Sequence, residues 1–199
     1  LADGTDVLLA GQKSGDLWAL DPDTGEVLWN QRVGFGTALG GNHWGIAIDG
    51  ERVFLPINDP AIPRVGDTPL SPGLYAFDIA TGEPAWSVEA EADCSDDRGP
   101  PAGCEGLYGF SATPIVVDGA VIAGTIDGRL YVFDGETGEQ LFFYDTIGDY
   151  QALNGLDAFG GSIDSHGIAA GGGAVFIGSG YGMFSQPTGN ALLAFKPAD

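Results

Sequence analysis

Short runs in which apolar and polar residues alternate fill this chain, and glycine or aspartate punctuates them. Alternation with period two, bounded by turn residues, predicts β-strands. Residues 5–10, 16–21 and 26–33 form a first group of three strands. A second group of four is expected at 44–48, 52–57, 74–78 and 83–88. A third covers 111–117, 120–125, 129–134 and 139–144, and a fourth 167–170, 174–179 and 191–196. If each full group runs A to D, the chain starts after an A strand and stops before a D strand.

The groups are copies of one unit. Leu17-Trp18-Ala19-Leu20-Asp21-Pro22-Asp23-Thr24-Gly25-Glu26-Val27-Leu28-Trp29 returns as Leu74-Tyr75-Ala76-Phe77-Asp78-Ile79-Ala80-Thr81-Gly82-Glu83-Pro84-Ala85-Trp86. It returns again as Leu130-Tyr131-Val132-Phe133-Asp134-Gly135-Glu136-Thr137-Gly138-Glu139-Gln140-Leu141-Phe142, and a last copy opens at Leu192-Leu193-Ala194-Phe195. Trp18, Tyr75, Tyr131 and Leu193 stand 57, 56 and 62 residues apart. A period of this size built from strands predicts an all-β fold, a β-propeller. The blades fall at about 1–34, 42–89, 109–145 and 162–199, so residues 1–199 make one partial propeller of about three and a half four-stranded blades. Closed propellers have about four to eight blades. The chain is therefore expected to be a piece of a longer protein whose N-terminal blades complete the ring.

The connections divide by length. A-to-B joins are tight (Asp49-Gly50, Asp118-Gly119, Gly171-Gly172-Gly173), and so are the C-to-D joins, each with Thr-Gly. The D-to-A joins 34–43, 89–110 and 145–166 and the B-to-C joins 58–73 and 180–190 hold the long insertions. In an up-and-down blade these two kinds of join emerge at the same end. Loops on a rigid scaffold are where function concentrates, so that end is the expected working face.

Trp29, Trp86 and Phe142 each fall four residues after Thr-Gly. A residue repeated in every blade packs blade on blade, whereas a site breaks symmetry. Trp44 is outside the repeat positions and opens an innermost strand on the insertion face. Aligning the A strands puts Trp44, Thr113 and His166 in one ring and Asn42, Ser111 and Asp164 in the next. His43 falls in the same band, and Lys13 joins it from the turn Gly11-Gln12-Lys13-Ser14-Gly15. Polar groups converging at a channel mouth are a candidate site; the plainer reading is that they satisfy loop backbone. The glycine-rich stretches 34–41 and 171–182 open no helix, so they do not read as phosphate loops.

Composition narrows the partners. Seven basic and 28 acidic residues give a net charge of −21. That excludes nucleic acid, which calls for a basic footprint. It also disfavours anionic membrane surfaces, and no apolar run is long enough to insert. The two cysteines, Cys94 and Cys104, lie ten apart in a loop-like stretch without metal-site spacing. They read as a disulfide, with free thiols the alternative, and a bridge implies an oxidising compartment.

The repeat resembles the tryptophan-docking blade of quinoproteins that bind pyrroloquinoline quinone (PQQ). Gly11-Gln12-Lys13-Ser14-Gly15, Gly40-Gly41-Asn42-His43-Trp44-Gly45, Gly160-Gly161-Ser162-Ile163-Asp164 and Ser179-Gly180-Tyr181-Gly182 look like the C-terminal part of polyvinyl-alcohol dehydrogenases. Phe142 departs from the pattern at the docking position, and Ser165-His166 stand where Gly-Pro is expected. The resemblance implies an eight-bladed propeller, periplasmic or secreted, that oxidises secondary alcohols with PQQ and Ca²⁺ and passes electrons to a cytochrome c. Under it Lys13 is the expected cation beside the quinone and Trp44 a wall or floor of the cofactor site. Asn42 and Asp164 are the expected metal ligands, Asp164 also the catalytic base, and His43 and Ser111 further pocket residues. Two other readings stay open. A non-catalytic scaffold could use the same repeat to bind proteins. A carbohydrate-acting propeller would want paired carboxylates, for which Asp157 and Asp164 are available.

Overall fold

The computed structural model describes residues 1, 3–59, 71–93, 108–184 and 186–197. Sixteen strands make up the described fold. β1 (Leu8–Gly11), β2 (Asp16–Leu20) and β3 (Val27–Arg32) form a three-stranded antiparallel sheet. β4 (Ala47–Asp49), β5 (Arg52–Ile57), β6 (Gly73–Asp78) and β7 (Pro84–Glu89) form a four-stranded sheet in sequence order. β8 (Ile115–Val117), β9 (Ala120–Gly124), β10 (Arg129–Asp134) and β11 (Gln140–Asp145) repeat that meander. β14 (Ile168–Gly171), β15 (Ala174–Ser179) and β16 (Ala191–Phe195) form a second three-stranded sheet. These are propeller blades.

Two features differ from the sequence expectation. The innermost strands are shorter: residues 44–46 and 111–114 leave the ladder and run toward the mouth, with only Phe110 bridged to Thr125. The join 145–166 also carries a hairpin of β12 (Asp149–Gln151) and β13 (Asp157–Phe159). Its turn contains Asn154-Gly155, with Gly155 at φ 79°. Such a pair is a strong hairpin signal, hidden here by the shortness of the strands on either side.

Period two explains the core. Along β5, Val53, Leu55 and Ile57 face the first sheet and pack with Leu17, Phe77 and Ile79, while Phe54 faces the third sheet with Leu74, Phe110 and Phe133. A third cluster of Ala112, Ile122, Leu130, Ile163, Ile168 and Ile177 fills the last seam. Each cluster is shared by adjacent blades.

The repeat residues close the seams. The Trp29 indole N–H donates to Ile79 O at 2.9 Å, and Gln31 Nε2 donates to Gly82 O at 2.9 Å. One blade on, Trp86 Nε1 donates to Gly135 O at 3.0 Å. Gly82 and Gly138, at φ 73° and 76°, sit under these indoles, where a Cβ would meet the ring at 2.6 and 2.8 Å. The Thr-Gly turn therefore needs glycine twice over, for its backbone and for the ring above it. Asp78 anchors its turn by accepting from Thr81 N and Oγ1, each at 2.9 Å, which holds its carboxyl below the usual range. At the third seam Phe142 takes the tryptophan position and meets Phe195 edge-on at 6.1 Å. An apolar cavity of about 620 Å³ remains there, lined by Phe142, Leu130, Val132, Val175, Phe195 and Pro197 among others.

Candidate functional site

At the opposite end of the strands, three blades meet at one carboxylate. Asp164, 2% exposed, precedes β14 of the last blade. Its Oδ1 accepts from Trp44 Nε1 at 2.6 Å, from Ser111 Oγ at 2.6 Å and from its neighbour Ser165 N at 2.8 Å. Trp44 comes from the second blade and Ser111 from the third. Three donors on one oxygen fix the carboxylate's orientation. Among the described residues Oδ2 has no hydrogen-bond partner, and Asp164 lines an open cavity of about 450 Å³ with His166, Gly180, Tyr181 and Asn190.

His43 extends the network. Its Nδ1 lies 3.1 Å from Ser111 Oγ. The single hydroxyl hydrogen of Ser111 goes to the Asp164 carboxylate, so His43 Nδ1–H donates to Ser111 and Nε2 is left as the free acceptor. Burial first, and then the Lys13 charge, lower the His43 pKa below its usual value, while Asp164 opposes the shift. Around Trp44 stand His43 at 4.9 Å, His166 at 6.0 Å and Tyr181 at 6.4 Å, the last two edge-on. This aromatic cluster with a carboxylate at its base can receive a flat, partly polar ligand.

The remaining expected residues are differently engaged. Lys13 is exposed and donates from Nζ to Ala38 O at 2.7 Å. Two further donors of its ammonium are available for a ligand. Asn42 is buried, and its amide N donates to Gly45 O at 2.7 Å and Pro56 O at 3.2 Å. Its amide oxygen abuts Gly11, where no Cβ could be fitted. Thr113 lies beside Gly45, with its buried Oγ1 unpartnered. Asp157 belongs to β13, exposed and paired in register with Gln151. Cys94 and Cys104 lie outside the described residues.

Among the described residues no group of three or more His, Cys, Asp or Glu could hold a metal ion. Asn42 holds loop backbone and turns its oxygen to Gly11, which leaves Asp164 Oδ2 as the one open oxygen of the pair. The Trp44 indole, with His43, His166 and Tyr181 around it, is the part of the site whose chemistry suits a planar ring system such as PQQ.

Asn58 and Asp59 carry weight that their sequence did not reveal. Asp59 is 1% exposed and binds only backbone N–H groups among the described residues. Asn58-Asp59-Pro60 reads as an ordinary turn in sequence.

The fold and this site define a propeller of PQQ-type repeats. Residues 13–177 match the family described as outer membrane protein assembly factor BamB, and the chain belongs to that family of PQQ-type propellers. A polyvinylalcohol dehydrogenase of Sphingopyxis sp. (strain 113P3) is 37% identical over 207 residues, covering 98% of this chain and 31% of that protein. The chain thus spans about a third of the length of this curated relative. Among solved structures, BamB from Moraxella catarrhalis superposes with TM-score 0.61 at 21% identity, over 98% of this chain and 47% of that one. The quinohemoprotein alcohol dehydrogenase ADHIIG from Pseudomonas putida HK5 gives TM-score 0.60 at 20% identity, over 87% and 27%. At these identities the two structures establish the fold alone.

Proposed function

We propose that this chain is part of a PQQ-dependent alcohol dehydrogenase that oxidises secondary alcohols of the polyvinyl alcohol kind. One observation carries the reading: the Asp164 carboxylate, with Trp44 and Ser111 fixed to its Oδ1 and its Oδ2 left open beside a cavity. A scaffold that only binds proteins has no need of such a group. The 37% identity to a polyvinylalcohol dehydrogenase across 98% of the chain supports it.

In this reading Trp44 walls the cofactor and the Lys13 ammonium faces its oxygens, where it stabilises negative charge. PQQ, when bound, supplies an ortho-quinone that accepts hydride. Asp164 Oδ2 takes the alcohol proton, held in place by Trp44, Ser111 and Ser165. His43 and Ser111 shape the polar side of the pocket. The rest of the site, any calcium cage included, comes from blades outside this chain. A periplasmic or secreted location and a cytochrome c acceptor belong to the same proposal.

The test is a PQQ titration of the full-length protein with and without Ca²⁺, followed by dye-linked oxidation of a secondary alcohol. Saturable PQQ binding with dye reduction is expected, and Lys13→Ala should weaken both. A folded, closed propeller that binds no PQQ would favour the second reading, a protein-binding scaffold, to which the match with BamB points.

A further inference from the structure

The loop 34–43 leads into His43 and Trp44, and it lies flat on the turn that carries Lys13. Gly36 and Gly41, at φ 81° and 64°, approach the backbone of Lys13 and Ser14 so closely that no Cβ could be accommodated. Asn42 N donates to Gln12 O at 3.0 Å, and Lys13 Nζ donates to Ala38 O at 2.7 Å. One side of the loop is thus bound to the first blade.

The other side is bound to Asn58-Asp59, at the end of β5. Asp59 Oδ2 accepts from Phe35 N at 2.7 Å and Ser71 N at 3.4 Å. Its Oδ1 accepts from Gly36 N at 3.4 Å and Gly41 N at 3.2 Å. Asn58 N donates to Gly41 O at 3.0 Å, and Asn58 Nδ2 donates to Leu39 O at 2.8 Å. A carboxylate this buried is ordinarily matched by a cation. Among the described residues backbone N–H groups converge on it, which is how a loop folds around an anion.

The geometry points to Asp59 as a positioning residue: its carboxylate is the internal anion around which loop 34–43 folds, and it thereby fixes the Lys13 ammonium relative to Trp44. Asp59 is 1% exposed and acts through the loop. The cofactor reading bears on the consequence of this placement, and the placement itself stands on the hydrogen bonds. Only a carboxylate suits the position, because an amide would turn one NH₂ toward N–H groups.

The chain's two lysines provide the test. Lys13 is held by Ala38 O, while Lys196 follows β16 at the other end of the strands. Acylation of the full-length protein by a limiting amine reagent, read by peptide mass spectrometry, gives the Lys13 to Lys196 labelling ratio. Asp59→Asn should raise that ratio roughly tenfold, as loss of charge-assisted hydrogen bonds frees the loop. Lys196 is already exposed, so a general loss of fold would also raise the ratio. The ratio is therefore read only where circular dichroism shows the native fold, and an unchanged ratio in folded Asp59→Asn overturns the inference. Asn58→Ser loosens the same loop from its other anchor and should raise the ratio about threefold; a flat response overturns the inference even if Asp59→Asn fails to fold. PQQ affinity of the same variants tests the cofactor reading separately. A raised ratio with unaltered affinity keeps Asp59 in its role and removes Lys13 from the cofactor site.

Discussion

Trp86 and Trp44 are both indoles whose N–H reaches an oxygen in another blade. Trp86 donates to a backbone carbonyl, Gly135 O at 3.0 Å, and packs between Phe54 and Phe133 with ring centroids 5.7 and 6.4 Å away. Trp29 does the same one blade earlier, to Ile79 O. Trp44 donates to the Asp164 carboxylate, 120 residues away, and is ringed by two histidines and a tyrosine. An acceptor that recurs in each blade serves the architecture. The Asp164 acceptor, ionisable and open on one side, is not repeated among the described residues, and it is this break in the repeat on which the proposed site rests.

The largest effect should separate these roles outright. Trp86→Ala removes a half-buried seam indole and its hydrogen bond, and should cost about 3 kcal/mol in chemical denaturation. Ligand affinity per folded molecule should hold. If the surviving folded fraction loses its ligand site, the seam and the mouth are one unit and the division fails.

Ser111→Ala acts on the mouth. It takes one of three donors from Asp164 and strands His43 Nδ1. A hydrogen bond to a charged group contributes about 1.5–3 kcal/mol, so the destabilisation should be smaller than at the seam. Turnover in the full-length protein should fall by more than the loss of folded protein explains. Equal losses would make Ser111 a plain packing residue.

The seam half of the molecule was legible in the sequence because it repeats. Trp29 and Trp86, four residues past Thr-Gly, announce a contact made once per blade, and β5 and β15 fall at 52–57 and 174–179 as the alternation predicts. The mouth was legible only in part. Aligning strands placed Ser111 and Asp164 side by side, which their 2.6 Å hydrogen bond realises. Asn42 came from the same alignment, yet its amide binds Gly45 O and Pro56 O, because a loop leaving a ladder needs partners for its own backbone. Asp59 stayed hidden because its partners among the described residues are backbone amides, which no sequence pattern marks. The β12–β13 hairpin hid behind strands of three residues each.

The third seam offers a gain. Phe142 stands where Trp29 and Trp86 stand at the other seams, and Pro197, the counterpart of Ile79 and Gly135, lies on the wall of the cavity beside it. Phe142→Trp should fill the space, give the indole N–H a carbonyl, and stabilise by about 1 kcal/mol. Thermal denaturation checks it, and a loss would mean that the seam has relaxed around phenylalanine.

The smallest effect tests the electrostatics of the mouth. His43 is held below its usual pKa of 6.5 chiefly by burial and then by Lys13, against the pull of Asp164. The folded state thus keeps His43 neutral where the unfolded chain already binds a proton. Stability from this group is complete above pH 6.5 and declines as the pH falls through 6.5 toward the folded value, because protons then favour the unfolded chain. An NMR titration of the His43 ring should give a midpoint below 6.5. Lys13→Ala should raise that midpoint by removing a like charge, and Asp164→Asn should lower it further by removing the opposing one. Shifts in these opposite directions would show that one histidine feels both groups at once. No seam residue has that property, since Trp29 and Trp86 face carbonyls that carry no titratable charge. A midpoint that ignores both substitutions would leave burial as the sole cause and part Lys13 from the cluster.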